Sequence, residues 1–237
     1  MNKSLVTLEW DSKFFNRNIG ELEDNVLSGE KREEVLEKFR ESDLEMVYYT
    51  TDVALEQVNF PHLNFILVNK KVPIKKKLDQ SFPHHPSVRF YTEKETRKEL
   101  EELAHRAGAF SRYHHDPHFS SEQVEELYRV WLEKSVEKKM ATDIIVFEEN
   151  NQILGFVTLV INEGDCQTPL FAVSKEAEGR GVSFALMRAA DSIFFERGCS
   201  FYKSATQAEN RSALTVFKRH GFELHPIRFV YHIWKQK

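Results

Sequence analysis

Apolar and polar positions change period several times along the second half of the chain. Thr168–Val173 (TPLFAV) is a strand-like apolar run, and Phe184–Arg197 (FALMRAADSIFFER) repeats its apolar positions at helical spacing. Asp143–Glu148 and Gln152–Asn162 predict two strands, with Glu149-Asn150-Asn151 as a hairpin turn between them. Ser120-Ser121 followed by Glu122 and Gln123 is a helix start, and Val124, Leu127, Val130, Trp131 and Ser135 mark one face of that helix. Ser200–Thr206 predicts a further strand, and Arg228–Trp234 (RFVYHIW) a last one of high β-propensity.

The first half predicts a smaller α/β unit. Leu5–Trp10, Leu44–Thr50, Leu63–Val72 and Val88–Tyr91 are its strand candidates, and Lys31–Arg40 and Glu93–Ala107 its helices, the second stopping at Gly108. Pro61, Pro73, Pro83 and Pro86 divide the region into short pieces. The turn-rich segment Gly108–Phe119 is the expected boundary, giving a domain over 1–112 and another over 113–237. No tandem repeat or low-complexity segment interrupts either.

Between the run Thr168–Val173 and the helix that follows lies Glu178–Ser183 (EGRGVS). A tight strand-to-helix turn aims backbone N–H groups at one point, at the positive end of the helix dipole, and so suits an anion such as pyrophosphate. Gly179 can take positive φ, and Gly181 lets a phosphate approach the main chain with no Cβ in the way. Taken alone, the two glycines read better as a plain turn. Thirty residues on, Asn210, Ala213, Phe217 and Gly221 fall along one helical face. Asn210 fits an N-cap, Ala213 and Phe217 core contacts, and Gly221 with Phe222 a helix stop.

Strand, glycine turn, helix, strand, Asn-led helix, strand is the order of the acetyl-CoA cradle in the GNAT acetyltransferase superfamily, and the last 120 or so residues resemble it. Further motifs resemble one branch, the dTDP-4-amino-4,6-dideoxygalactose (dTDP-fucosamine) acetyltransferases. They are Trp10-Asp11-Ser12 with Phe14-Phe15, Ser111-Arg112 with Asp116-Pro117 and Phe119, and Leu127-Tyr128 with Trp131. Ala205-Thr206-Gln207 ahead of Asn210 and the ending His232-Ile233-Trp234 complete the set. The implied fold is a mixed-sheet α/β protein, with a GNAT acetyl-CoA-binding domain preceded by a smaller α/β domain. The implied activity is transfer of an acetyl group from acetyl-CoA to a small-molecule amine, here a dTDP-linked amino sugar, by direct attack. Another primary amine (a polyamine, an antibiotic or a protein N-terminus) and a non-catalytic acyl-CoA-binding module are the alternatives.

On this resemblance, Phe171 and Val173 touch the cofactor and Val173 N–H is an oxyanion donor. Glu178, Gly179, Arg180, Gly181, Val182 and Ser183 hold the pyrophosphate, and Asn210 and Phe217 complete the cofactor set. Three positions depart from the pattern. Glu178 stands where Gln or Arg is usual, and Ser183 where Gly or Ala is usual. Phe217 stands where the family carries a Tyr that protonates the departing thiolate. Tyr202 and Tyr231 are the candidate replacements for that acid. His115, with His114 and Asp116, is a candidate base, and surface histidines in a turn are an equal reading. The spacing His114–His118 invites a metal, but Pro117 and the lack of supporting ligands reject one. Trp10, Phe14, Phe15, Tyr113 and Trp131 could wall an acceptor site, though each is more often simply core.

Composition narrows the remaining classes. Apolar residues are 41% of the 237 and Phe alone numbers 19, enough for a substantial core. Lys+Arg 33 against Asp+Glu 37 gives a formal net charge of −4, which does not indicate nucleic-acid binding. MNKSLVTLEW has no apolar signal core, and the apolar run Ile153–Ile161 is too short for a bilayer. Cys166 and Cys199 read as free thiols of a reducing compartment. The expectation is a soluble cytoplasmic protein with no nucleic-acid or membrane partner. The apolar strand Phe229–Trp234 offers a possible homodimer edge.

Overall fold

The computed structural model describes residues 4–55, 60–162 and 164–236. In chain order its first half runs β1 (Leu5–Thr7), α1 (Glu9–Phe15), β2 (Ile19–Leu22), α2 (Arg32–Glu41), β3 (Met46–Thr51), β4 (Leu63–Lys77), β5 (Val88–Phe90) and α3 (Lys98–Ala107). The second half runs α4 (Ser121–Val136), β6 (Asp143–Glu149), β7 (Gln152–Asn162), β8 (Asp165–Gln167) and β9 (Phe171–Val173). It closes with α5 (Val182–Glu196), β10 (Phe201–Gln207), α6 (Arg211–Arg219), β11 (Glu223–Leu224) and β12 (Arg228–Lys235). The elements form a mixed α/β fold.

Two compact units are present, one of Met1–Val72, Ser111–Ser120 and Pro226–Lys237, the other of Pro73–Phe110 and Ser121–His225. This differs from a single cut at 112/113, because the last strand and the segment 111–120 belong with the amino-terminal residues.

The first unit is a sheet in the order β1-β2-β3-β12-β4. The β2–β3 pair is parallel and the other neighbours are antiparallel. Side chains alternate across a strand, and here both faces are covered. Val47, Tyr49, Tyr231 and Ile233 pack with Val35, Leu36 and Phe39 of α2. On the other face Tyr48 and His232 meet Tyr113, and His232 also meets Phe119. Double coverage explains why β12 reads as an apolar run. It also removes the proposed dimer edge, since β12 is paired on one side with β3 and on the other with β4. The expected strand Leu5–Trp10 ends at Thr7, because Trp10 and Phe14 stack at helical spacing, 5.2 Å between rings, in α1. Pro73 does not break β4. Proline lacks only the N–H, and its carbonyl still accepts from His225 N at 2.9 Å within the strand.

The second unit orders its strands β4-β10-β8-β7-β6-β5, with β9 also paired to β7. Leu100, Leu103 and Ala104 of α3 and Leu132 of α4 pack on Ile144, Val146, Phe156, Leu170 and Ala172. The hairpin β6–β7 turns on Asn150 and Asn151, both at positive φ, as a two-residue loop of type I′ requires. The helix expected over Glu93–Ala107 begins only at Lys98, since the Glu93 carboxylate is bound to Arg89. The strand expected over Thr168–Val173 is interrupted, because Pro169 has no N–H to give the ladder.

Cys166 and Cys199 are not free thiols. They form a disulfide with Cα atoms 6.3 Å apart. Parallel pairing of β10 with β8 sets Tyr202 beside Cys166 and so brings Cys199, three residues upstream, within bonding reach. Sequence separation alone could not show that pairing, and the expectation of a reducing compartment loses its support.

Candidate active site

The site is built where β9 parts from its neighbour. β10 runs parallel to β8 through Phe201, Tyr202 and Lys203, while β9 pairs only with β7. A wedge therefore opens between β9 and β10. Register decides which groups face it. Thr158 N donates to Leu170 O at 2.9 Å and Ser174 N to Leu154 O at 2.8 Å, so the even-numbered residues of β9 spend their main-chain groups on β7. Phe171 and Val173, the odd positions, turn their N–H and C=O to the unpaired edge. At the closed end, hydroxyls join the strands: Thr168 Oγ1 lies 3.0 Å from Tyr202 Oη and 3.3 Å from Ser204 Oγ.

After β9 the chain makes a short turn at Lys175–Ala177 and enters Glu178–Ser183. Gly179 and Gly181 both take positive φ, 75° and 83°. A Cβ at either would meet nothing within 4 Å, so main chain, not packing, calls for glycine here. Gly181 caps α5 and no side chain caps the helix. The first amides of α5 have no intrahelical acceptor, so they point outward with the helix dipole behind them. Gly155 of β7 brings this turn close to the sheet. A Cβ there would stand 2.9 Å from Val182 Cγ1 and 3.1 Å from Leu186 Cδ1. Gly155 was missed at the level of sequence; an isolated glycine within a strand pattern is the signal that could have marked this close approach.

α6 flanks the wedge. Asn210 caps it, Oδ1 accepting from Ala213 N at 3.1 Å and from Ser212 Oγ at 3.0 Å. Phe217 is buried against Phe222, 5.2 Å between rings, and faces Phe171 at 6.3 Å. Beneath, the buried Asp191 of α5 accepts from Lys76 Nζ at 2.6 Å and lies 2.9 Å from His220 Nε2 at the end of α6. That network ties both helices to β4.

A strand splayed from its neighbour, a glycine turn presenting open amides and an Asn-capped helix make an arrangement that could hold a phosphorylated thioester carrier. The sequence profile of the Acetyltransferase (GNAT) family matches residues 100–222. The chain belongs to the GNAT acetyltransferase family. Residues 100–222 are thus a GNAT acetyltransferase domain, of a family that uses acetyl-CoA. The chain is 26% identical over 136 residues to the spore coat polysaccharide biosynthesis protein SpsD of Bacillus subtilis, covering 57% of this chain and 47% of that one. The match thus spans about half the length of this curated relative. Among solved structures, a GNAT-family acetyltransferase from Novosphingobium aromaticivorans shares the fold at a TM-score of 0.58, with 13% identity over 100% of this chain and 91% of that one. A conserved protein of unknown function from Staphylococcus epidermidis does so at a TM-score of 0.61 and 9% identity, covering 100% and 93%.

In this GNAT chain the cofactor candidates Phe171, Val173, Glu178–Ser183, Asn210 and Phe217 all lie in the second unit. Their side chains differ in availability. Arg180 is bound to Glu149 at 2.6 Å, and the Glu178 carboxylate is bound to Arg106. Arg106, which no local motif marked, also donates from Nε to Val173 O at 2.7 Å. Tyr202 is fully buried against Phe194 and Phe222, and burial raises its hydroxyl above the usual phenol range.

The other two catalytic candidates lie in the first unit. Tyr231 is in its core, its hydroxyl accepting from Leu55 N at 3.0 Å. His115 is exposed at the end of a 3-10 turn, with Nδ1 3.2 Å from Ser111 O. His114 is likewise exposed, whereas Asp116 is buried and bonded to His232, Trp234 and His118. Of the aromatic wall candidates in this unit, Phe15 and Tyr113 are core. Among the described residues no helix is long and apolar enough to cross a membrane.

Proposed function

We propose that this enzyme acetylates the amine of a nucleotide-linked amino-deoxy sugar, of the 4-amino-4,6-dideoxyhexose class, for polysaccharide synthesis. The observation carrying the sugar assignment is the similarity to SpsD, whose name places that protein in spore coat polysaccharide biosynthesis. It agrees with the short motifs at Trp10–Phe15, Ser111–Phe119 and His232–Trp234.

In this reading the amides of Glu178–Ser183 hold the diphosphate of the donor, and the free edge at Phe171 and Val173 holds the pantetheine arm. The neutral amine nitrogen attacks the thioester carbonyl carbon, and the tetrahedral oxyanion takes a hydrogen bond from Val173 N–H. The C–S bond then breaks, the nitrogen loses its surplus proton to solvent, and coenzyme A leaves as thiolate. Phe217 has no proton to give, and Tyr202 Oη is engaged with Thr168 inside the core. The thiolate therefore takes its proton from water, which a thiol pKa near ~8.5 permits at neutral pH.

The test is acetyl-CoA turnover on an amine panel holding dTDP-linked 4-amino sugars, polyamines, aminoglycosides and peptides. Acetylation of the sugar nucleotide alone supports the assignment, and preference for another amine replaces it. Phe217 also favours a second reading, an acyl-CoA-binding module without turnover. Binding of acetyl-CoA with no thiol release on any amine would establish that one.

A further inference from the structure

Arg106 sits in the last turn of α3 and reaches two points of the cofactor cradle at once. Its Nε donates to Val173 O at 2.7 Å, and its other arm holds the Glu178 carboxylate. The first contact occupies a carbonyl of the unpaired β9 edge. The second occupies the only acidic side chain within Glu178–Ser183. A diphosphate approaching this turn would otherwise meet a carboxylate of the same sign. Arg180, the turn's own cation, does not neutralise it, because its guanidinium is bound to Glu149 at 2.6 Å.

We propose that Arg106 is a positioning residue for the donor. It cancels the charge of Glu178 and draws that carboxylate toward α3, clear of the amides that receive the diphosphate. It also pins the carbonyl end of Val173, which fixes the edge along which the pantetheine arm lies. The proposal rests on the assignment of Glu178–Ser183 as the diphosphate cradle. Arg106 works through Glu178 and Val173, with no contact to the reacting atoms.

The test is calorimetric titration of wild type, Arg106→Ala, Glu178→Gln and the double variant with coenzyme A and with acetyl-pantetheine, which lacks the diphosphate. Wild type should bind coenzyme A far more tightly than acetyl-pantetheine. If it binds both alike, the cradle assignment itself fails. Given that preference, Arg106→Ala should weaken coenzyme A about fivefold, the scale of an exposed charge pair. Glu178→Gln should tighten it about threefold, with a steeper salt dependence, since Arg106 is then left uncompensated beside the diphosphate. The double variant should return to within about twofold of wild type. An Arg106→Ala affinity equal to wild type overturns the proposal. So does a double variant as weak as Arg106→Ala, which would show direct contact of Arg106 with phosphate. Should Arg106→Ala fail to fold, Glu178→Gln still decides, because unchanged or weaker binding there refutes charge cancellation.

Discussion

Nδ1 of His232 lies 2.6 Å from Oδ2 of Asp116, and both side chains are wholly buried in the first unit. Burial alone would raise the Asp116 carboxyl. Hydrogen bonds from His232, from the amide and ring of His118 and from Trp234 Nε1 outweigh it and hold the group well below the ordinary carboxylate range. Burial pushes His232 down to about 4 from an ordinary 6.5, against the pull of Asp116.

The sign of the pH dependence follows. Between pH 6.5 and about 4 the unfolded chain binds a proton at this histidine that the folded chain does not. Stability is full above 6.5 and falls as the pH drops toward 4, by at most about 3 kcal/mol. Below that, Asp116 adds a loss of the same sign. Urea denaturation of wild type and His232→Phe across pH 7 to 4.5 measures this. The variant should lose up to about 1.4 kcal/mol per pH unit of slope, and identical slopes would contradict the assignment.

Asn210 caps α6 and is proposed to hold the donor, two roles that one substitution confounds. Its Oδ1 caps α6 on Ala213 N, so Asn210→Ala should cost about 1 kcal/mol of stability as well as donor affinity. Asn210→Ser keeps a capping oxygen and removes the amide donor. Thermal melting should then change little, while acetyl-CoA affinity falls about tenfold. Affinity retained in Asn210→Ser would reduce Asn210 to a cap.

Gly181 and Gly198 make a matched pair. Both hold positive φ, 83° and 81°, and neither position has an atom within 4 Å of an added Cβ. Alanine at each should therefore cost a similar ~1–2 kcal/mol of backbone strain. Of the two, only Gly181 lies in the proposed cradle Glu178–Ser183. Gly181→Ala should weaken coenzyme A at least tenfold, and Gly198→Ala should leave it within twofold. Equal affinities in the two variants would disconnect the turn from the donor.

What the sequence made legible was local. The Asn210 cap and the positive φ of Gly179 are decided within a few residues and stand where the pattern placed them, and the turn expected over Glu149–Asn151 is there with Glu149 drawn into β6. α1 was missed because its seven residues are too few to show a helical period against the motif around Trp10. Arg106 pairs with Glu178 across 72 positions and so left no local trace. Phe217 was legible as a departure from the family pattern, whereas its packing against Phe171 and Phe222 needed the fold.

The disulfide closes a loop of 33 residues. Chain-entropy bookkeeping for that length gives a stabilisation of about 3–4 kcal/mol. Thiol titration of the protein unfolded without reductant should find no reactive sulfhydryl, and two after reduction. Reduction, or Cys166→Ser with Cys199→Ser, should lower the urea midpoint accordingly. Two thiols before reduction would restore the free-cysteine expectation.

Phe217 offers the sharpest test of the chemistry. Its ring is buried between Phe171 and Phe222, so Phe217→Tyr keeps the packing and adds one hydroxyl toward the wedge. If thiolate departure without an acid limits the rate, a donor there should raise kcat about tenfold or more. General acids typically contribute 10²–10⁴-fold, and an unpartnered buried hydroxyl costs about 1–3 kcal/mol, which offsets part of the gain. The variant should also show a falling limb in kcat as the new phenol ionises at high pH, absent from wild type. Coenzyme A affinity should stay within about twofold, because the proposed diphosphate cradle is main-chain amide and does not include the Phe217 ring. A variant with wild-type kcat and no new limb would mean that expulsion of the thiolate is not the step that limits this enzyme, and that amine attack is.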